Sequence, residues 1–88
     1  MGIRGIQVTG RFEKNYRKLP KKIRDEAKLK ENIFRKNPFD PTLKTHKLHG
    51  IEKEIWAFWV TYSYRIKFIF LDNETVLLLD IGTHEIYK

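Results

Sequence analysis

From Tyr64 to Phe70 the side chains alternate, with Tyr64, Ile66, Phe68 and Phe70 on one side and Arg65 and Lys67 on the other. Successive residues of a strand point to opposite faces. This run is therefore a strand with one apolar face and one cationic face, and the apolar face needs a cover. The first half of the chain supplies it. Phe12, Tyr16 and Leu19 recur at i, i+4 and i+7, the spacing of one helical face. Ile23, Ala27 and Phe34 form a second such stripe, with Ile33 at its edge.

Prolines set the ends of these helices. Leu19-Pro20 closes the first, because the residue before a proline is pushed out of the helical region. Pro20 suits the first position of the next helix, which is predicted over Lys21 to Lys36 and stopped by Asn37-Pro38. Lys30 falls within the apolar stripe of that second helix, so it must snorkel or meet a partner. The outer surface of the hairpin holds Lys14, Lys18, Lys21, Lys22, Lys28 and Arg35.

A short strand is predicted over Ile3 to Val8, broken by Thr9-Gly10. Asn37 to Gly50 reads as a loop with two histidines. Glu52 to Tyr62, rich in Trp, Phe and Val, reads as a strand that turns near Ser63 into the alternating run. Asp72-Asn73 signals a hairpin into a last strand, Thr75 to Ile81. The order β-α-α-β-β-β gives an α+β fold, a helix hairpin on one face of a mostly antiparallel sheet. The other face, with Arg65 and Lys67, is expected to stay open, which suits a flexible polyanion better than a small apolar ligand.

Residues 1–88 make a single domain, and 41% hydrophobic residues are enough to fill its core. The absence of cysteine excludes disulfides, thiolate catalysis and Cys-based zinc sites. No apolar run reaches membrane-span length and no signal peptide is evident, so a cytoplasmic protein without a membrane partner is expected. The charge is uneven. Residues 1–50 carry 14 basic and 5 acidic side chains, or +9, and residues 51–88 carry 4 and 6, or −2. Such a concentration suggests a polyanionic or acidic partner, although lysine-rich helices also serve solubility.

Several segments, taken in order, resemble one family. His46-Lys47-Leu48-His49-Gly50, Trp56 to Val60, Tyr64-Arg65-Ile66 and Asp80-Ile81-Gly82-Thr83-His84 resemble the RelE/ParE toxin superfamily of type II toxin–antitoxin systems, on its RelE and YafQ side. The resemblance covers nearly the whole chain, including the helix hairpin. It implies a metal-independent, cofactor-free endoribonuclease that cuts mRNA in the ribosomal A site, beside 16S rRNA, until a cognate antitoxin binds it. The free toxin is expected to be monomeric, with the antitoxin setting the higher-order assembly.

Such chemistry needs a base for the RNA 2′-OH, an acid for the leaving 5′ oxygen and cations around the phosphate. By the resemblance, His46 stands where YafQ-like toxins carry a histidine and YoeB-like ones a glutamate that acts on the 2′-OH. His84 matches the histidine at the end of the last strand and would be the general acid. Arg65 matches the arginine that binds the scissile phosphate, a role that suits its planar fork. Read alone, His46 is a solvated loop histidine, His84 a backbone-bonded one, and Arg65 a cross-strand partner for Glu54. Tyr87 resembles the near-terminal aromatic that stacks on or activates the RNA, yet Gly-Thr-His-Glu-Ile-Tyr is one residue shorter than the family pattern. Lys53, Trp59 and Lys67 are the expected RNA-binding residues. Trp59 stands where relatives show a polar or basic side chain, and on the open face its indole would stack a base. His46 and His49 form an H-x-x-H pair, but no third ligand has a convincing spacing, so no metal site is expected. Two other readings stay open: a ParE-like toxin of DNA gyrase, and a degenerate toxin that only binds its antitoxin.

Overall fold

The computed structural model describes residues 2–49 and 54–83. The chain runs through strand β1 (Gly5–Val8), helices α1 (Gly10–Lys18) and α2 (Lys21–Lys36), a 3-10 turn at Pro41–Leu43, and strands β2 (His46–Lys47), β3 (Trp56–Trp59), β4 (Tyr64–Phe70) and β5 (Thr75–Thr83). The five strands form one sheet in the order β1-β5-β4-β3-β2. β1 pairs with β5 in parallel and every other pairing is antiparallel. This is the α+β architecture read from the sequence, with one strand more. Among the described residues no helix is long and apolar enough to cross a membrane.

The local signals act as physics requires. Leu19, held before Pro20, is extended at ψ 150° and ends α1. α2 spans the predicted Lys21–Lys36, with Pro20 one position outside it as the N-cap. Thr9 caps α1: its Oγ1 accepts from the Phe12 N–H at 3.0 Å and donates to the Leu79 carbonyl at 2.8 Å. One hydroxyl thus fixes the start of α1 and ties it to β5. Thr9→Ala is expected to cost about 1–2 kcal/mol, read as a lower urea midpoint at unchanged slope. Thr9→Ser keeps the oxygen and should recover most of the loss.

Phe34 from α2 is the centre of the core. It stacks on Phe58 at 4.6 Å and meets Phe68 edge-on at 5.0 Å. Ile3, Phe12, Ala27, Leu43, Val60, Ile66, Val76, Leu78 and Ile81 complete this cluster. The helices therefore pack on the face of β4 that holds Ile66 and Phe68, as the alternation requires. Lys30 stays in the stripe because its ammonium donates to the Val60 carbonyl at 2.7 Å and pairs with Glu26 at 3.3 Å. Its partner lies within the chain.

Four sequence boundaries move. β1 begins at Gly5, because Ile3 donates instead to the Arg35 carbonyl at the end of α2. A Cβ on Gly2 would sit 2.8 Å from that same carbonyl oxygen, so the close approach requires glycine. The loop after α2 contains the 3-10 turn and β2. The long strand predicted from Glu52 shrinks to Trp56–Trp59: Glu54 has a positive φ of 62°, which strand backbone does not adopt. β5 runs on to Thr83.

Candidate functional site

Register decides which predicted site residues share a face. His46 pairs with Ala57, Ala57 with Lys67, and Lys67 with Asp80. The next row on the same face is Trp59, Arg65 and Gly82. Directly paired residues of an antiparallel sheet project to the same side, so His46, Trp59, Arg65 and Lys67 lie on the face opposite the aromatic core. From strand spacing and rise, the backbones of His46 and Arg65 are roughly 12 Å apart.

This face is less bare than expected. His46 is exposed and Trp59 and Lys67 are half-buried, but Arg65 and Asp80 are each only 7% exposed. β1 covers β5 only as far as Leu78. Beyond it α1 lies close to β5, where the Asn15 amide donates to Asp80 Oδ1 at 2.7 Å. The same oxygen accepts from the Ile81 N–H at 2.8 Å, so two donors hold Oδ1 of the charged residue inside the apolar Val-Leu-Leu-Leu-Asp-Ile run.

His46 stands on β2 at the sheet edge, after a loop held by its own side chains. Asp40 caps the 3-10 turn by accepting from the Thr42 hydroxyl at 2.7 Å and the Thr42 N–H at 2.9 Å. Those bonds, the hydroxyl's first, hold the Asp40 carboxyl below its ordinary pKa. Thr45 Oγ1 donates to the Pro38 carbonyl. Lys44 turns left-handed, and its carbonyl lies 2.8 Å from His46 Nδ1. A carbonyl only accepts, so Nδ1 carries the proton of the neutral ring and Nε2 is its basic nitrogen.

Arg65 is clasped by the hairpin between β3 and β4. Its Nη1 donates to the carbonyls of Thr61 at 2.9 Å and Tyr62, and more weakly to Tyr64 at 3.4 Å. The guanidinium carbon lies 4.1 Å from the centre of the Trp59 ring. All three bonds leave from Nη1, so among the described residues the edge formed by Nη2 and Nε has no acceptor. Among the described residues its side chain is oriented by its stack and its turn rather than by an ion pair. Glu54, the acid considered for that pairing, is bridged to Lys47 at 3.6 Å.

His84, Tyr87 and Lys53 lie outside the described residues. Among the described residues no three potential His, Cys, Asp or Glu ligands come together as a metal site. The sequence reading missed three features: β2 beneath His46, the Asn15–Asp80 contact, and the Tyr62 ring. Tyr62, which the residue pattern places at the end of a strand, is 78% exposed at the hairpin tip and meets Trp59 edge-on at 5.7 Å. A charged residue inside an apolar strand was the available signal for Asp80. Nothing in the residue spacing announced the other two.

Solved structures with this fold are found among toxins. The DinJ–YafQ toxin–antitoxin complex of E. coli aligns with a TM-score of 0.75 at 20% identity, over 94% of each chain. A YoeB/ParE toxin from Agrobacterium tumefaciens aligns at 0.77 and 13% identity, over 92% of this chain and 99% of that one. The archaeal RelE–RelB complex from Pyrococcus horikoshii OT3 aligns at 0.72 and 16% identity, over 94% and 96%. No protein-family model and no curated protein matches the sequence. At these identities the likeness is one of fold.

Proposed function

We propose that this chain is the toxin of a type II toxin–antitoxin pair and acts as a ribosome-dependent mRNA endoribonuclease. The fold is common to YafQ, YoeB/ParE and RelE toxins, so it does not choose between nuclease and gyrase chemistry. Side chains carry that choice. The supporting observation is the shared face: an exposed histidine with its Nδ1 anchored, and an arginine oriented by an indole, on neighbouring cross-strand rows.

On this reading the 2′-OH of the RNA attacks the adjacent phosphorus while His46 Nε2 takes its proton. Charge builds on the pentacoordinate phosphate, where the Nη2 and Nε edge of Arg65 offers a two-pronged donor. The P–O5′ bond then breaks and the 5′ oxygen receives a proton from His84, leaving a 2′,3′-cyclic phosphate and a 5′-OH end. His84 follows directly on Thr83, which pairs with Tyr64 beside the Arg65 row. Trp59, Lys67 and Lys53 hold the RNA, and Tyr87 stacks on it. A cognate antitoxin with acidic residues would meet the basic helix hairpin, where Lys14, Lys18, Lys21, Lys22, Lys28 and Arg35 are all exposed.

One observation favours a second reading. Arg65 is almost fully buried with one nitrogen already committed, as a residue kept only for the fold would be. That describes a degenerate toxin that binds its antitoxin without cutting RNA. Primer extension on mRNA after induction separates the two. The nuclease gives growth arrest and new 5′ ends within translated codons. A parent chain that neither arrests growth nor cuts mRNA overturns the nuclease reading and leaves the degenerate one.

A further inference from the structure

The tip of the β3–β4 hairpin carries an exposed ring, Tyr62, beside Trp59 and Arg65, to which the chemistry above gives no part. Trp59 and Tyr62 stand nearly perpendicular, 86° apart with ring centres 5.7 Å from each other. The Arg65 guanidinium packs over the Trp59 ring and donates to the carbonyls of Thr61 and Tyr62. Arg65 thus ties the Trp59 ring to the turn backbone, and the outermost ring, Tyr62, touches Trp59 edge-on and is 78% exposed. The other rings of the sheet behave differently: Phe58 and Phe68 are fully buried, and Trp56 packs on Phe39 and Phe70. An exposed tyrosine at a tip contributes little to the core, yet it presents a flat π-surface beside the Trp59 ring and its cation.

We infer that Tyr62 and Trp59 form a notch that holds one unstacked nucleobase of the RNA next to the phosphate gripped by Arg65. The inference rests on the nuclease reading for its substrate, but base binding and cleavage separate in the test. Every nucleobase has a π-face, so stacking of this kind tolerates sequence. The two rings at a right angle offer a face and an edge, which positions a base as well as attracting it. Arg65 links the notch to the phosphate: the turn that its Nη1 holds closed is the turn that carries Tyr62. An RNA strand fits this combination because it brings a planar base and an adjacent anion together. An apolar side chain of a protein partner would use the rings and leave the cation without an anion.

The test is a tryptophan-fluorescence titration of the intact protein with a short 2′-O-methyl oligonucleotide, which has no free 2′-OH and is not cleaved, and with an abasic oligomer of the same length. In the parent the base-bearing oligonucleotide should quench the fluorescence. Tyr62→Ala should raise its Kd about tenfold, the scale of losing one base–aromatic stack. Tyr62→Phe keeps the ring and should restore the parent Kd. The abasic oligomer should bind parent and Tyr62→Ala alike. Parent-like affinity of Tyr62→Ala for the base-bearing strand overturns the notch, even if the parent cuts mRNA. So does a variant that binds both oligomers like the parent but no longer co-purifies with a co-expressed antitoxin, because the notch would then be a protein contact. If Tyr62→Ala loses base-dependent binding while the parent cuts no mRNA, the notch stands and the nuclease reading falls.

Discussion

His46→Ala will slow mRNA cleavage about 100- to 10,000-fold, the usual contribution of a general acid–base group, with little change in melting temperature. The two halves of that expectation have separate causes. His46 is exposed on a two-residue strand at the sheet edge and belongs to no core cluster, so its loss should leave the packing intact. The 2.8 Å contact from Nδ1 to the Lys44 carbonyl fixes the tautomer that leaves Nε2 basic, which is what a proton acceptor for a 2′-OH must be. His84→Gln should act at the other end of the reaction with a similar loss, because an amide cannot deliver a proton to the departing 5′ oxygen. The control is His49→Ala, two residues outside β2. Thr45, directly before His46, is a poor control because its hydroxyl holds the Pro38 carbonyl and its removal loosens the loop beneath His46. Rates should be compared on protein that still binds antitoxin. Cleavage at the parent rate after the double substitution His46→Ala, His84→Gln removes both histidines from the mechanism.

The helices and the alternating strand were legible because their signals are local. Leu19-Pro20 and Asn37-Pro38 act on the backbone of the preceding residue alone, and the Tyr64–Phe70 period forces one face inward whatever lies elsewhere. Loss of legibility follows distance along the chain. β2 is a strand only because β3 lies beside it: two residues with a Lys-His composition carry no strand pattern, and the pairing of His46 with Ala57 spans the loop between them. The left-handed Glu54 that shortens β3 likewise has no glycine to announce it. The site divides in the same way. Alternation alone put Arg65 and Lys67 on one face, and Trp59 opposite Trp56 and Phe58. That Arg65 bends back onto its own turn, and that Lys30 spends its charge on Val60, depends on where carbonyls end up after folding. An expectation of an open cationic face therefore met an arginine already buried.

Arg65→Ala will do two kinds of damage, and their separation decides what the residue is for. Folded, Arg65 satisfies the Thr61 and Tyr62 carbonyls and covers the Trp59 ring. Removing it strips those carbonyls and that ring of their partner, at an expected cost of about 1–3 kcal/mol, read as a lower urea midpoint. Removing a charge aimed at the transition state costs about 100- to 1,000-fold in rate, which must be measured where both proteins are fully folded. Arg65→Lys separates the terms. An ammonium keeps one positive charge and can donate to a turn carbonyl, so part of the stability should return. It has no planar fork, and a group that caps the turn cannot also reach the phosphate with a second edge. Cleavage should therefore stay low while the urea midpoint recovers. If instead Arg65→Lys cleaves like the parent, the fork has no role in the reaction and Arg65 is a clamp for the hairpin. The phosphate would then have to be held by other cations, with Lys67, one row away on the same face and half-buried, the first to be substituted.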